Sequence, residues 1–169
     1  AAAGDLDAIR TYLDALDTDL NTVDTVVKTG NPMADAILNS KISLARSKHI
    51  AVKADAHVPV ALRTSELDLC CIIGNLFDNA IEASLSLPEE RRMIRVYMDM
   101  KGSQLYISFT NLTAQSKQQK IGGRFSSTRG QGRGFGLKRI DAIVERLEGY
   151  VSRGSEDGAF TTEILLPQE

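Results

Sequence analysis

Apolar residues near the start of the chain recur at a regular helical spacing. They stand alternately four and three residues apart: Ile9, Leu13, Leu16, Leu20, Val23 and Val27. This heptad spacing is typical of a coiled coil or a helical hairpin, although a single helix packed on its own domain would show it as well. We therefore divide the chain into a heptad helix at residues 1–29 and a second domain at residues 30–169.

Helical and strand patterns alternate through the second domain. Asn31 and Pro32 are suited to cap and begin a helix over about residues 32–47. A strand in HIAVKADAHVPV, an almost wholly apolar helix in SELDLCCIIGNLFDNAIEAS and a hairpin that turns at Lys101 and Gly102 follow. An amphipathic helix that ends at Gly149 and two last strands complete the pattern. These elements predict an α/β fold, a two-layer sandwich of helices on a mostly antiparallel mixed sheet.

The composition is that of a soluble globular protein, with 43% hydrophobic and 25% charged residues. The sequence has no run of 18 apolar residues, so it predicts no membrane-spanning helix. Cys70 and Cys71 are adjacent, a position from which two cysteines rarely bridge each other. We expect them to be small buried hydrophobic residues in a reducing, cytosolic compartment.

Charge is distributed unevenly along a chain whose net charge is −2. No acidic residue occurs between Met100 and Ile140. The same stretch contains eight basic residues: Lys101, Lys117, Lys120, Arg124, Arg129, Arg133, Lys138 and Arg139. Such an excess suits an anionic ligand, although a solvated surface would also account for it.

A polar stripe runs along the otherwise apolar helix. Asn75, Asp78, Asn79 and Glu82 fall within an arc of roughly 100° at 3.6 residues per turn. The stripe could be a solvent-facing edge, but asparagine is a mediocre helix former and such an edge more often carries Lys, Glu and Gln. Amide and carboxylate oxygens lining a cleft are suited to Mg²⁺, which often binds together with the phosphates of a nucleotide.

Four glycines alternate with other residues in GQGRGFG, at residues 130–136. Glycines allow close backbone approach to a ligand, and the start of the helix that follows would present free N–H groups to an anion. The stretch does not fit G-x-G-x-x-G, and the chain has no G-x-x-x-x-G-K-[ST] phosphate loop. The polar stripe and the glycines together predict a phosphate site.

These motifs resemble a known family. NLFDNAIEAS is similar to the N box, and GRGFGL to the glycine box, of the ATP-binding domain shared by sensor histidine kinases, gyrase and mismatch-repair ATPases. The order of elements also matches over about residues 32–167. Together with KTGNPMADAILNSK, the motifs resemble the bacterial histidine kinases that sense peptides or small metabolites. The resemblance implies the Bergerat-type ATP-binding fold, and it makes the heptad helix the second helix of a dimerisation hairpin.

The resemblance also implies roles for individual residues. Asn79 would bind Mg²⁺, Asn75 would lie beside the phosphates of ATP, and a lid would close over the nucleotide near Thr128 and Arg129. No catalytic residue is assigned with certainty. The implied ligand-binding residues are Asn75, Asn79, Asn111, Thr128, Arg129, Gly132, Gly134, Phe135, Gly136 and Leu137.

Two departures from the family qualify these expectations. The usual Asp-x-Gly-x-Gly box is replaced by FTNLTAQ, where Asn111 is the nearest candidate to accept a hydrogen bond from adenine. The only histidines, His49 and His57, lie outside the heptad helix, so the phosphoacceptor histidine is absent. We expect a kinase domain that binds ATP and Mg²⁺ and that cannot autophosphorylate alone.

The resemblance further implies partners and a location. The partners are a helix that carries the acceptor histidine, a response regulator, and a second copy of the protein in a homodimer. The location is the cytosol, where the domain would belong to a sensor that is bound to the membrane only through other parts of the parent protein. Two other functions remain open. One is a non-catalytic nucleotide-sensing module of the same fold. The other is an RNA-binding protein that uses RFSSTRGQGRG, although the net negative charge leads us to expect no nucleic acid.

Overall fold

The fold comes from a computed structural model, which describes residues 26–114, 120–121, 124–125 and 135–169. For residues 120–121 and 124–125 it describes the backbone only. The predicted heptad helix lies outside the described residues, apart from residues 26–29, which are described and are not helical. Within the described ranges, no helix combines the length and the apolar composition that crossing a membrane would need.

Three α-helices and seven strands make up the described structure. The helices are α1 (Pro32–Ser47), α2 (Glu66–Leu85) and α3 (Phe135–Arg146), and a short 3₁₀ helix spans Glu89–Arg91. The strands are β1 (Ala51–Ala56), β2 (Met93–Lys101), β3 (Gln104–Leu112), β4 (Lys120–Ile121), β5 (Arg124–Phe125), β6 (Tyr150–Glu156) and β7 (Ala159–Pro167).

Five of the strands form one mixed sheet in the order β1-β2-β3-β7-β6. β1 lies parallel to β2, with Ala51 opposite Met93, and the other three pairs are antiparallel. β4 and β5 pair with each other in a separate ribbon. The predicted two-layer fold with a mostly antiparallel mixed sheet is confirmed.

The core lies between the sheet and the three helices. α2 packs between α1 and α3 and lies over β3. The Phe77 ring of α2 meets the Phe109 ring of β3 edge-on, with 4.9 Å between their centroids. Both side chains are buried, as are Ile73 and Leu76 on the same helix. Burial of this apolar face fixes which way α2 is turned, and so fixes the direction of its polar stripe.

The chain enters the domain through a short segment without helix or strand that side chains of α1 hold in place. Asn31 caps the helix as predicted, because its Oδ1 accepts from the N–H groups of Met33 and Ala34. Asn39 acts on the backbone of Val27: its Oδ1 accepts from the Val27 N–H at 2.8 Å, and its Nδ2 donates to the Val27 carbonyl at 2.9 Å. The sequence pattern did not predict this attachment.

Two turns differ from the sequence predictions. Lys101 belongs to β2 and pairs with Gln104, so the hairpin turns at Gly102 and Ser103, one residue later than predicted. Gly102 has φ +60°, which suits glycine. The left-handed residue after α3 is Glu148, at φ +57°, rather than Gly149. Gly149 serves close packing instead, since a Cβ there would stand 2.5 Å from the Leu165 carbonyl oxygen of β7.

Candidate functional site

The polar stripe of α2 divides between two neighbouring helices. Asp78 points to the α1 side, where its Oδ1 lies 2.6 Å from Lys41 Nζ. Asn75 and Asn79 point to the opposite side, towards the start of α3. At these positions the stripe faces the two neighbouring helices, although Asp78 is also 57% exposed to solvent.

Gly136 is the point at which α3 meets the two asparagines. A Cβ built on Gly136 would stand 3.1 Å from Asn75 Oδ1 and 3.4 Å from Asn79 Oδ1. The shorter separation is tight for a carbon and an oxygen, so a side chain at residue 136 would require the Asn75 amide to shift by a few tenths of an ångström. The structure thus joins two distant segments, residues 75–79 and 135–137, in one place.

Cys71 fixes the orientation of the Asn75 amide. Asn75 Nδ2 lies 2.7 Å from the Cys71 carbonyl oxygen and 3.4 Å from the Cys71 Sγ. A carbonyl can only accept a hydrogen bond, so the nitrogen of the amide must face it and Oδ1 must face Gly136. Both cysteines are partly exposed, and the prediction that they are simple buried hydrophobic residues is wrong.

Asn79 carries a polar atom without a partner. Its Nδ2 is buried and forms no hydrogen bond with any described residue. A buried amide hydrogen without an acceptor costs about 1–3 kcal/mol, and such groups are rare in native proteins. An anionic oxygen at the start of α3 would supply the missing acceptor.

The start of α3 is suited to bind an anion. Its first N–H groups have no partner within the helix, and the helix dipole adds positive potential there. Leu137 is partly buried, whereas Phe135 is 60% exposed and lies under the Lys138 ammonium, 5.9 Å from the ring centroid. Lys138 and Arg139 are exposed within the first turns and add positive charge.

Two ion pairs hold α3 in place. Arg153 of β6 is buried and donates from Nη2 to Asp141 Oδ1 at 2.7 Å. Arg146 donates to both carboxylate oxygens of Asp68 in the first turn of α2, at 2.6 and 3.2 Å. These hydrogen bonds from Arg146 lower the pKa of Asp68 below its ordinary value. The pairs fasten α3 to the sheet and to α2, which keeps Gly136 against the asparagines.

Asn111 is buried near the end of β3, on the face of the sheet that carries the helices. Its Nδ2 donates to the Leu112 carbonyl oxygen at 3.2 Å. No described residue donates to its Oδ1, which leaves this oxygen as an acceptor. Phe109, two residues earlier on the same face, contacts Phe77 of α2. Asn111 therefore lies next to the helix that carries the polar stripe.

The remaining predicted ligand-binding residues cannot be placed. Thr128, Arg129, Gly132 and Gly134 lie outside the described residues. Of the predicted set, the structure brings Asn75, Asn79 and Gly136 together, with Phe135 and Leu137 on either side of Gly136 in the chain. The sequence reasoning missed Cys71, although its position four residues before Asn75 places it one helical turn away on the same face.

The residues present fit a magnesium ion bound with phosphates. Mg²⁺ prefers oxygen ligands, keeps several waters and commonly takes only one or two groups from the protein. Two amide oxygens, from Asn75 and Asn79, face the helix start where phosphates would lie. Within the described ranges, no three or more His, Cys, Asp or Glu side chains lie together as a candidate metal site. Asn79 is thus the residue that would hold the ion, and Asn75 would lie beside the phosphates.

Comparison with known proteins agrees with this geometry. A family described as "GHKL domain" matches residues 65–167, which include α2, both asparagines, α3 and the last two strands. The chain belongs to the GHKL-domain family. Its relatives include a probable C4-dicarboxylate sensor kinase of Halalkalibacterium halodurans, 33% identical over 107 residues, or 60% of this chain and 20% of the relative.

A sensor protein of Bacillus subtilis, CitS, is 28% identical to this GHKL domain over 79% of the chain and 26% of the relative. The chain spans about a fifth to a quarter of the length of these curated relatives.

Solved structures agree with the fold of this GHKL domain. The catalytic domain of histidine kinase ThkA superposes with a TM-score of 0.65 at 19% identity, over 83% of this chain and 93% of that domain. The mycobacterial sensor histidine kinase MprB gives a TM-score of 0.61 at 18% identity, over 80% of this chain and 93% of that one. The fold is that of histidine kinase catalytic domains.

Proposed function

We propose that this domain is the catalytic, ATP-binding part of a bacterial sensor histidine kinase. The observation that supports this most strongly is the meeting of Asn75 and Asn79 with the start of α3 at Gly136. Two amide oxygens lie close to the start of a helix, whose first N–H groups have no partner within the helix, and this arrangement suits a magnesium ion and the phosphates of a nucleotide. The relatives, which are sensor proteins, supply the context of signalling.

In this proposal each residue positions or neutralises a group of the substrate. Asn79 binds Mg²⁺ through Oδ1, and its Nδ2 donates to a phosphate oxygen. The N–H groups at the start of α3 bind phosphate oxygens, and Gly132, Gly134 and Gly136 allow the backbone to approach them. Thr128 and Arg129 belong to a lid, and Asn111 accepts a hydrogen bond from the adenine amino group. Such positioning and charge neutralisation is the main work of a protein in phosphoryl transfer.

The acceptor of the phosphoryl group lies on another segment. His49 and His57 are both exposed in the domain itself. Residues 1–29 contain the second helix of a dimerisation hairpin, with residues 26–29 as its non-helical exit, and the first helix supplies the acceptor histidine. The parent protein would be a homodimer that passes the phosphoryl group to a response regulator. The domain would work in the cytosol, as part of a sensor held at the membrane by other segments.

Asn75 separates this function from ATP hydrolysis. An amide side chain cannot remove a proton from an attacking water molecule, whereas a carboxylate could. We expect the isolated domain to bind ATP without turning it over. Steady-state release of phosphate at the rate of a gyrase-type ATPase would contradict the assignment of a kinase.

A non-catalytic, nucleotide-sensing module is the second candidate. It is favoured by Asn111, a neutral residue in place of the usual adenine-binding aspartate, which suggests weaker binding of ATP. The two candidates agree on the ligand and differ in whether a phosphoryl group is transferred.

The experiment is phosphotransfer between two chains. The domain is mixed with labelled ATP, Mg²⁺ and a separate dimerisation hairpin that carries the acceptor histidine. A kinase labels the hairpin, and Asn79→Ala abolishes the labelling. Ser40→Ala, an exposed change on α1, is the matched control and should label the hairpin normally. Binding of ATP without labelling would identify the sensing module, and the absence of any nucleotide binding at millimolar concentration would overturn both candidates.

A further inference from the structure

The thiol of Cys71 makes a polar contact that the proposed chemistry does not use. Cys71 lies one helical turn before Asn75 on α2, and its Sγ is 3.4 Å from Asn75 Nδ2. Its backbone carbonyl oxygen accepts from the same nitrogen at 2.7 Å. An amide nitrogen has two hydrogens, so Cys71 can engage both of them at once.

This contact decides what Asn75 offers to a ligand. With its nitrogen held by Cys71, the amide presents only Oδ1 towards Gly136, at the 3.1 Å separation described above. An oxygen without a hydrogen repels a phosphate oxygen but accepts from water and binds cations. Asn79 differs, because its buried Nδ2 has no partner among the described residues and remains able to donate. The two asparagines therefore have different roles.

We propose that Cys71 is a positioning residue that keeps Asn75 as an acceptor on the magnesium side of the site, leaving Asn79 to contact both magnesium and phosphate. The inference rests on the proposed function, since it concerns how the same site distinguishes magnesium-bound from free nucleotide. Cys71 itself touches neither ligand and acts through the Asn75 amide.

The thiol contributes to the orientation of the Asn75 amide beyond what the backbone carbonyl of Cys71 provides. The Asn75 side chain has few other constraints: in the described part of the chain its hydrogen bonds run only to Cys71. A single bond to the carbonyl leaves the second hydrogen of Nδ2 free to bond elsewhere. An additional bond to Sγ engages that hydrogen too and restricts rotation of the Asn75 amide group. Sulfur is a weak acceptor, so we expect a moderate effect.

The chain provides its own control. Cys70 is also partly exposed, on the same turn of α2, and no hydrogen bond joins it to Asn75 in the described residues. Cys70→Ala and Cys71→Ala therefore remove the same atoms from adjacent positions, and only the second removes the Sγ contact with Asn75, while the bond to the backbone carbonyl of residue 71 remains. Cys71→Ser keeps an acceptor and is the conservative variant.

The first test needs no nucleotide. In the ¹⁵N-labelled domain, the Asn75 side-chain amide hydrogens should exchange with solvent more slowly than those of exposed asparagines. Cys71→Ala should speed this exchange about threefold or more, and neither Cys70→Ala nor Cys71→Ser should do so. An unchanged rate in Cys71→Ala would overturn the inference, whether or not the domain binds ATP.

The second test measures the binding of a fluorescent ATP analogue with Mg²⁺ and with EDTA. Cys71→Ala should weaken binding about two- to fivefold with Mg²⁺ and should leave binding in EDTA unchanged, while Cys71→Ser restores it. An equal loss in both conditions would indicate a structural role and overturn the inference. Failure of the unmodified domain to bind the analogue in either condition would instead contradict the proposed function, and the exchange experiment would still decide the role of Cys71.

Discussion

Asn75 Oδ1 lies 3.1 Å from the point at which a side chain on Gly136 would begin. The two residues are far apart in the sequence and belong to helices α2 and α3, which pack side by side. Their contact unites the polar stripe and the helix start in one candidate site.

Gly136→Ala should weaken nucleotide binding without destabilising the domain. The added Cβ would push Asn75 and Asn79 out of position, and we expect at least a tenfold loss of affinity, about 1.4 kcal/mol. Alanine is a better helix former than glycine, which offsets the cost of displacing the asparagines, so the free energy of unfolding should change by no more than about 1 kcal/mol. Titration with an ATP analogue and urea unfolding measure the two effects.

Gly154→Ala is the matched control for this change. A Cβ on Gly154 would meet no other atom within 4 Å, so this variant should bind nucleotide normally. Equal affinity of Gly136→Ala and the unmodified domain would show that ligands do not lie beside the start of α3.

Asn79→Ala should separate stability from binding. The substitution removes a buried nitrogen that has no partner in the described structure, so the nucleotide-free domain should lose little stability or gain some. Binding of magnesium-nucleotide should fall more than tenfold, because the Oδ1 ligand is lost. Thermal unfolding with and without ligand measures both effects, since a ligand that binds only the folded state raises the midpoint. A full ligand-induced rise in Asn79→Ala would remove this residue from the site.

The Asp68–Arg146 pair should stabilise the domain in a pH-dependent way. Arg146 lowers the pKa of Asp68 in the folded state, so the folded protein binds this proton less readily than the unfolded chain. The stabilisation is complete above the ordinary value of 3.8 and disappears as pH falls through the lower folded pKa. Urea unfolding should thus show Asp68→Asn less stable than the unmodified domain at pH 6, with a difference that shrinks below about pH 4.

Glu66→Gln provides the comparison for Asp68→Asn, since Glu66 is an exposed acid in the same first turn of α2. At pH 6 the free energy of unfolding of Glu66→Gln should differ less from that of the unmodified domain than the value for Asp68→Asn does. A difference between Asp68→Asn and the unmodified domain that grows as pH falls from 5 to 3 would be contrary to the pairing with Arg146.

Asn39→Ala should release the segment that enters the domain. The variant leaves the N–H and C=O of Val27 without their side-chain partners, and we expect a cost of about 1–3 kcal/mol to the free energy of unfolding. The Val27 amide should exchange with solvent at least tenfold faster, whereas amides in the middle of α2 should change only as far as global stability does. Ser40→Ala, at the next, exposed position, should change neither quantity. A protected Val27 amide in Asn39→Ala would show that other contacts hold this segment.

The sequence predicted the fold where a local pattern had one dominant cause. Asn31 followed by Pro32 predicted the start of α1 because a capping side chain and a fixed φ act within a few residues. The arc of Asn75 and Asn79 predicted one shared face because helical geometry allows nothing else. Their proximity to the glycine stretch was predicted from the residues, because the polar stripe and the glycines together suit one phosphate site, and the packing of α3 on α2 brings Gly136 to both asparagines.

Features that depend on distant contacts or on rotamers were missed. Nothing in the local pattern links Asn39 to Val27, since the bond depends on how the entering segment folds back on α1. The turn between β2 and β3 was placed one residue early because Lys101 continues the strand by pairing with Gln104. Cys71 was taken for an apolar residue, and its contact with Asn75 depends on a side-chain rotamer that no periodicity reveals.

The central claim is that magnesium-ATP binds where the α2 asparagines meet the start of α3. Its most direct test is a titration of the ¹⁵N-labelled domain with Mg²⁺ and a non-hydrolysable ATP analogue, followed by NMR. We predict that the side-chain amide signals of Asn75 and Asn79 and the backbone signal of Gly136 shift together and saturate with one dissociation constant. Signals that stay in place at millimolar analogue, or that shift only on the opposite face of the sheet around Tyr97 and Tyr106, would contradict it.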